Sequence, residues 1–352
     1  MLPSKKVKNV LVNVFDHGIN ERAIMNTKRM FAYAETEHRF LDSGGFQLHE
    51  AEKENKVMTF DSKSPLTNSH SHINISPTHV VQTACRLEPH IMTSLDFPVL
   101  KIKDQSEREI EFLRKLGFNV KWAIETAALR EKRCPQILLL IPVQCYTLGQ
   151  FALFHTLIQH LSYNGLSMPL RNLKPPEVAL FLLRFYQLGI QRVHLLGSSS
   201  FFTLAVAAHF ARHFFQWVGT DSTTWRVAAE HTGYLNPNDL SVKGIGSNVL
   251  IDQSLPIICR CPFCENMTFT SIKNLPYNDK VALLRSHNFW VIEKVAEDLY
   301  TNATDLLSFE RFLRKRSPRT RDIENLIRCL SLIDLFKKED INALKPFFQE
   351  VI

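Results

Sequence analysis

Short apolar segments alternate with segments of helical periodicity through most of the chain, and a polar residue or glycine follows each of five apolar segments. Strands that alternate with helices pair in parallel, so the residues that follow them meet on one side of the sheet. In a closed (β/α)8 TIM barrel these positions gather on one face, whereas a doubly wound sheet collects them along an edge. The five positions are widely spread and favour an α/β barrel: Asp42, Asp96, Gln144, Gly197 and Asp221.

Individual elements can be predicted within this alternation. Residues 90–95 and 136–144 are short apolar runs that predict buried strands. Ser106 followed by Glu109 forms a capping-box pattern, which predicts the start of a helix, and Gly117 predicts its end.

The composition is that of an ordinary globular protein, with 45% hydrophobic and 22% charged residues among 352. It excludes bulk disorder, collagen and disulfide scaffolds. The length predicts two units, or one large barrel with an appendage. The net charge of +7 is compatible with a polyanionic partner but does not require one.

The sequence predicts neither a membrane span nor a signal peptide. Its longest apolar run, 137–143, is far shorter than the roughly 20 residues that a spanning helix needs. Three of the seven cysteines cluster in one short segment. This spacing favours a metal site over disulfides and a reducing, cytoplasmic setting.

The most specific motif is Cys259-x-Cys261-x-x-Cys264, which is followed at a distance by His287. Three thiolates and one imidazole form a closed tetrahedral zinc site, with the cysteines in a knuckle and the histidine on a following helix. Because four protein ligands leave no position for water, this zinc is expected to be structural rather than catalytic. Free or redox-active thiols are the alternative.

Three strand-end carboxylates stand in motifs that can carry chemistry. Asp42 belongs to LDSGGFQ, where two glycines let the backbone approach a ligand and Phe46 can stack on a flat ring. Asp96 ends the string SLD, and Asp221 lies among hydroxyl residues with Arg226 nearby. Capping of the next helix is the alternative explanation for Asp42 and Asp96.

Taken together, these motifs resemble those of the tRNA-guanine transglycosylase superfamily. The strings DSGGFQ, SLD and VQ and the CxCxxC…H motif occur in that family's order and at close to its spacing, from Val10 to Tyr300. The resemblance implies a (β/α)8 barrel that carries a zinc-binding subdomain. We expect a catalytic barrel at 1–253, a zinc-binding subdomain at 254–300 and a partly basic helical segment at 301–352.

The resemblance also assigns roles to individual residues. It implies that Asp221 is the nucleophile, which attacks C1′ of the target nucleotide, and that Asp42 is the general acid/base. A carboxylate nucleophile holds the sugar as a glycosyl-enzyme between two half-reactions, while a second acid protonates the departing purine. One carboxyl should therefore stay ionised and another should titrate. The implied purine-binding residues are Ser43, Phe46, Asp96, Gln144, Asn164, Gly165, Leu166, Leu196 and Gly197.

The chain departs from the bacterial tRNA enzymes at two places. GLSMPLR stands where they carry GGLAVGE, so the acid that helps to accept an aminomethyl-bearing base is missing. DSTTWR replaces their proline-threonine-arginine run near the anticodon loop. The strings GLSMPLRN, VHLLGSSS and DSTTW look more like the DNA-guanine transglycosylase branch. That branch implies exchange of guanine in DNA for a 7-deazaguanine base, with 7-cyano-7-deazaguanine expected.

Three alternatives remain at this point. The same chemistry can act on tRNA, or the chain is a non-catalytic nucleic-acid-binding subunit, or it is an unrelated barrel enzyme with a zinc knuckle. Retention of both Asp42 and Asp221 argues against a non-catalytic subunit. A helicase or ATPase partner and a homodimer stay open. The basic segment 310–321 is either a solvated helix end or a phosphate-contacting patch.

Overall fold

A computed structural model describes residues 9–14, 20–33, 38–48, 66–67, 74–99, 104–170, 173–197, 199–245, 259–265 and 267–337. The chain divides into two compact units, Met1–Pro169 with Arg192–His194, and Leu170–Gln191 with Leu195–Ile352. The predicted boundary between residues 253 and 254 lies outside the described residues, and the three predicted domains stay predictions. None of the described helices is long and apolar enough to span a membrane.

The described residues form eleven strands. They are β1 (Asn9–Asn13), β2 (His38–Asp42), β3 (Leu66–Thr67), β4 (Asn74–Ile75), β5 (Ile91–Thr93), β6 (Leu138–Pro142), β7 (Gly165–Pro169), β8 (Arg192–Leu196), β9 (Trp217–Thr220), β10 (Gly233–Leu235) and β11 (Val242–Gly244).

Eleven helices with described bounds accompany these strands, besides the helical turn at 45–48. They are α1 (Glu21–Tyr33), α2 (Pro77–Leu87), α3 (Gln105–Arg133), α4 (Leu148–Ile158), α5 (Pro175–Gln187), α6 (Phe201–His213), α7 (Thr224–Glu230), α8 (Phe269–Lys273), α9 (Tyr277–Asn302), α10 (Leu306–Arg316) and α11 (Thr320–Phe336).

Seven of the strands form one parallel sheet in the order β1-β2-β5-β6-β7-β8-β9. Neighbours in the sheet are also neighbours along the chain, apart from the separate β3–β4 hairpin. A doubly wound sheet reverses its order at a switch point, whereas a (β/α) barrel adds its strands in sequence. The predicted α/β class is confirmed. An eighth strand and closure of the barrel stay predictions, because β1 and β9 end the described sheet.

The first unit packs helices against its strands through side chains of both. A helix connects each of the pairs β1–β2, β5–β6 and β6–β7, and α2 precedes β5. Because helices cover the sheet, β6 (LLLIP) is a continuous apolar run rather than an alternation of apolar and polar residues. The buried cluster includes Val12, Leu41, Met92 and Leu139 from the strands and Val80, Ala84 and Trp122 from the helices.

The predicted bounds of α3 were wrong at both ends. The helix begins after Asp104, whose Oδ1 accepts a hydrogen bond from Glu107 N at 2.9 Å, and not after Ser106. It continues through Gly117 to Arg133. A glycine in a helix costs only about 1 kcal/mol relative to alanine, and burial of one helix face outweighs that cost. The buried positions on both sides of Gly117 keep helical spacing: Phe112, Lys115, Asn119, Trp122, Ala123, Thr126 and Ala127.

The second unit is mostly helical. Its long helix α9 packs against α6, α7 and the first strand of the antiparallel β10–β11 hairpin, while α11 packs against α5, α6 and α10. The basic segment 310–321 covers the second half of α10, the turn after it and the start of α11.

Two of the six basic side chains in this segment are held within the second unit. Arg314 pairs with Glu310 at 2.7 Å, and Arg316 pairs with Asp298 and donates to Pro237 O at 3.0 Å. This favours the solvated helix end over a phosphate-contacting patch for these two residues.

Candidate functional site

Asp96 is the centre of a buried polar network at the end of β5. Its carboxylate is 5% exposed and accepts a hydrogen bond on each oxygen. Ser43 Oγ donates to Oδ1 at 2.7 Å, and Gln144 Nε2 donates to Oδ2 at 2.5 Å. The Gln144 amide is oriented in turn, because its Oε1 accepts from Val99 N at 3.3 Å. The residues after β2, β5 and β6 thus meet here, as their positions at strand ends predicted.

The loop that carries Asp96 is fixed by α3 as well as by the sheet. Asn119 Oδ1 accepts from Phe97 N at 2.6 Å, and its Nδ2 donates to Phe97 O at 3.1 Å. The buried ammonium of Lys115 donates to Pro98 O at 2.7 Å and lies 4.1 Å from the centre of the Phe97 ring. Tyr146 OH donates to Val99 O at 2.7 Å. These contacts hold the loop that carries Asp96 in one conformation.

The environment of Asp96 raises its pKa from 3.8 to about 7. Burial is the largest cause, and repulsion from the neighbouring Asp42 carboxylate adds to it. The hydrogen bonds from Ser43 and Gln144 favour the ionised form and act in the opposite direction. The result is a carboxyl group poised to gain or lose a proton near neutral pH, as at many catalytic and binding sites.

This raised pKa predicts a specific dependence of stability on pH. The folded chain keeps on Asp96 a proton that the unfolded chain releases once the pH exceeds 3.8. The contribution of Asp96 to stability is therefore fully present below pH 3.8 and is lost as the pH rises to about 7. Within this window each pH unit lowers the free energy of unfolding by about 1.4 kcal/mol.

Urea denaturation of the wild type and of Asp96→Asn, repeated across this range, checks the prediction. Asparagine stays neutral at every pH, so the stability of the wild type relative to the variant should decline from pH 4 to pH 7 and then level off. A difference that stays constant across the range would contradict the raised pKa.

Asp42 lies beside this network at the end of β2. Its Oδ2 accepts from Gly44 N at 3.1 Å, and Thr93 Oγ1 lies 3.5 Å from its Oδ1. Thr93 Oγ1 also accepts from Ser43 N at 2.8 Å, so one hydroxyl links the two carboxylate-bearing loops. Sequence reasoning missed Thr93. Its signal was a polar residue at the inner end of an otherwise apolar strand.

Gly45 lets the loop after β2 approach Asp96 closely. A Cβ at this position would lie 2.4 Å from Asp96 Oδ1 and 2.9 Å from Asp96 O, closer than any real Cβ contact. Gly45→Ala should therefore displace the Ser43–Asp96 pair and lower the free energy of unfolding by about 1–3 kcal/mol.

Gly117→Ala is the matched control for Gly45→Ala, because a Cβ there meets nothing within 4 Å. It should stabilise the protein by about 0.5–1 kcal/mol, since alanine is the better helix former. Urea denaturation measures both variants. If Gly45→Ala were as stable as the wild type, the close approach would be wrong.

Asp221 comes directly after β9 in the second unit and contacts the end of β8. Its Oδ1 accepts from Gly197 N at 3.1 Å, and its own N donates to Leu195 O at 3.3 Å. Gly197 has a φ of +81°, a conformation that glycine adopts without strain. The structure thus brings together the predicted nucleophile and the predicted ring-contacting segment Leu196–Gly197.

The remaining predicted purine-binding residues differ in position. Phe46 is 43% exposed on a helical turn after β2, which leaves ring surface accessible for stacking. Asn164 directly precedes β7, and Gly165 and Leu166 begin it. Asn164 Oδ1 accepts from Leu139 N at 2.9 Å, and Gly165 lies against Arg192 O. Their contact with a base stays a prediction.

Cys259, Cys261, Cys264 and His287 form one compact group that can hold a metal ion. Their ligand atoms all lie within 4.8 Å of one another, and His287 Nδ1 is 3.3 Å from the sulfurs of Cys261 and Cys264. Three thiolates around one imidazole are a donor set compatible with zinc, whose bonds of about 2.0–2.3 Å fit this spacing. The predicted ligand set is therefore assembled in the second unit.

The surroundings of His287 set which ring nitrogen faces the sulfurs. Its Nε2 donates to Leu235 O at 2.9 Å, which directs Nδ1 toward the cysteines. The ring of Tyr234 stacks on the imidazole with centroids 4.0 Å apart. Such support is typical of metal-ligating histidines.

No protein-family model matches this chain, and no curated protein matches it in sequence. The resemblance to the transglycosylases therefore rests on the sequence motifs alone, and the evidence for a function is the geometry of the site.

Proposed function

We propose that this chain is a base-exchanging transglycosylase that replaces guanine in DNA by a 7-deazaguanine base, 7-cyano-7-deazaguanine in particular. The observation that carries the proposal is the buried Ser43–Asp96–Gln144 network beside Asp42. A carboxylate next to an amide complements guanine, because the base offers the amine N2 as a donor and O6 as an acceptor. A 7-deazaguanine keeps both groups, so the leaving and the entering base can use the same contacts.

The proposed reaction has two half-reactions. Asp221 attacks C1′ of the nucleotide, so that the bond from C1′ to the base nitrogen N9 breaks and an ester bond to the carboxylate forms. Asp42 gives a proton to the departing guanine and takes one from the entering base. N9 of the entering base then attacks C1′, the ester breaks, and the Asp221 carboxylate is restored. The target nucleotide has to leave the base stack to react.

The metal group has a structural part in this proposal. Cys259, Cys261, Cys264 and His287 would hold the zinc with four protein ligands, so the ion would not bind a substrate or a water. Bound there, it would fix the cysteine knuckle to α9.

A labelling experiment tests the proposed function. The purified protein is incubated with radiolabelled guanine or 7-cyano-7-deazaguanine and with either single-stranded DNA, plasmid DNA or bulk tRNA, and the polymer is then digested to nucleosides. We expect label in nucleosides from DNA. Label in tRNA alone would replace the DNA proposal by the tRNA alternative, and label in neither polymer would contradict base exchange.

A further inference from the structure

The side chain of Asn288 joins three segments of the second unit. This residue is fully buried and follows His287 on α9. Its Oδ1 accepts from Leu235 N at 2.9 Å, and its Nδ2 donates to Gly233 O at 3.0 Å and Trp225 O at 3.1 Å. An amide that uses its acceptor and both donors on backbone groups fixes those groups in one geometry.

Trp225 lies in the first turn of α7, shortly after Asp221. Hydrogen bonds order the short segment between and around them, since Thr224 N donates to Ser222 Oγ at 3.0 Å and Val227 N donates to Thr223 O at 3.0 Å. A shift of the first turn of α7 therefore shifts the segment that carries Asp221.

Two further polar contacts join α9 to α7. Both involve Glu230, at the end of α7 far from Asp221. Arg285 pairs with the Glu230 carboxylate at 2.6 Å, and Tyr277 OH donates to Glu230 O at 3.1 Å. These side chains are substantially exposed, so their attraction is weakened by water and salt. Asn288 makes its contact in the interior and at the end of α7 nearest Asp221.

We propose that Asn288 is a positioning residue that holds Asp221 in its reactive orientation by fixing the first turn of α7 to α9. This inference rests on the proposed role of Asp221 as nucleophile. Asn288 itself touches no reacting atom. Its effect on catalysis follows because a displacement of about 1 Å at a reacting group can cost a factor of about 100 in rate.

Asn288→Ala, compared with the wild type and with Asn302→Ala, tests the proposal. Asn302 lies on the same helix, but its amide donates within that helix, to Asp298 O at 2.8 Å. Hydrogen exchange read by mass spectrometry should accelerate at least about 10-fold in 224–230 for Asn288→Ala and not for Asn302→Ala. In 91–99, which belongs to the first unit, exchange should stay unchanged. For base exchange, kcat should fall about 10- to 100-fold while KM stays within about twofold.

Unchanged hydrogen exchange in 224–230 would overturn the positioning role, and so would accelerated exchange with an unchanged kcat. If Asn288→Ala does not fold, Asn288→Asp provides the same readouts, because it keeps the acceptor for Leu235 N and removes the amide donors. A wild type without base-exchange activity would refute the proposed function instead, while the hydrogen-exchange result would still decide whether Asn288 fixes α7.

Discussion

Asp221→Asn should abolish base exchange, with a loss in kcat of about 10⁴-fold or more. An amide cannot form the glycosyl ester, and removal of an enzyme nucleophile commonly costs several orders of magnitude. The fold should survive, because asparagine keeps the oxygen that accepts the hydrogen bond from Gly197 N. The rate of label incorporation into nucleic acid, measured beside the urea denaturation curve, checks both statements.

Asp239→Asn is the matched control for this variant. It makes the same change in the second unit, at a side chain that accepts hydrogen bonds from Ser241 N and Ser241 Oγ. Its exchange rate should equal that of the wild type. Full activity of Asp221→Asn would remove Asp221 from the mechanism.

Cys261→Ser should have the largest effect on stability. Structural zinc in small domains contributes about 10–16 kcal/mol of binding free energy, and serine is a poor replacement for a thiolate ligand. Cys261 is 1% exposed and packs with the residues around the hairpin and α9. We expect the variant to lose bound zinc, measured by elemental analysis, and to unfold far below the wild-type temperature.

Cys329→Ser is the control, since this cysteine is equally buried but lies on α11, outside the metal group. It should cost only about 1–3 kcal/mol, the usual penalty for a buried hydroxyl, and leave the zinc content unchanged. A stable and zinc-free Cys261→Ser protein would refute a structural zinc.

Much of the fold follows from local signals. Alternating strands and helices predicted the α/β class, and the apolar runs 90–95 and 136–144 contain β5 and β6. The bounds of α3 could not be predicted from local signals, because burial of Phe112 and Trp122 extends the helix through Gly117. Tertiary packing of that kind is not a local property of the sequence.

The residues of the candidate site that follow strands could be predicted from the sequence. The residues whose side chains hold the loops in place could not. The strand-end rule brought Asp96 and Gln144 together, and the cysteine spacing identified the metal group. Neither of these signals indicated Asn119 or Asn288, because asparagine also occurs at many solvent-exposed helix positions. Their importance lies in the backbone groups that they bind, which only the three-dimensional structure identifies.

In the proposed mechanism, Asp221 carries the sugar between the two bases. The most direct test is to quench wild-type protein with end-labelled single-stranded DNA in acid and to map the adduct by mass spectrometry. We expect a covalent protein–DNA species on Asp221 that is absent from Asp221→Asn and is discharged by excess 7-cyano-7-deazaguanine. An active protein without such a species, or with the sugar on another residue, would contradict this mechanism.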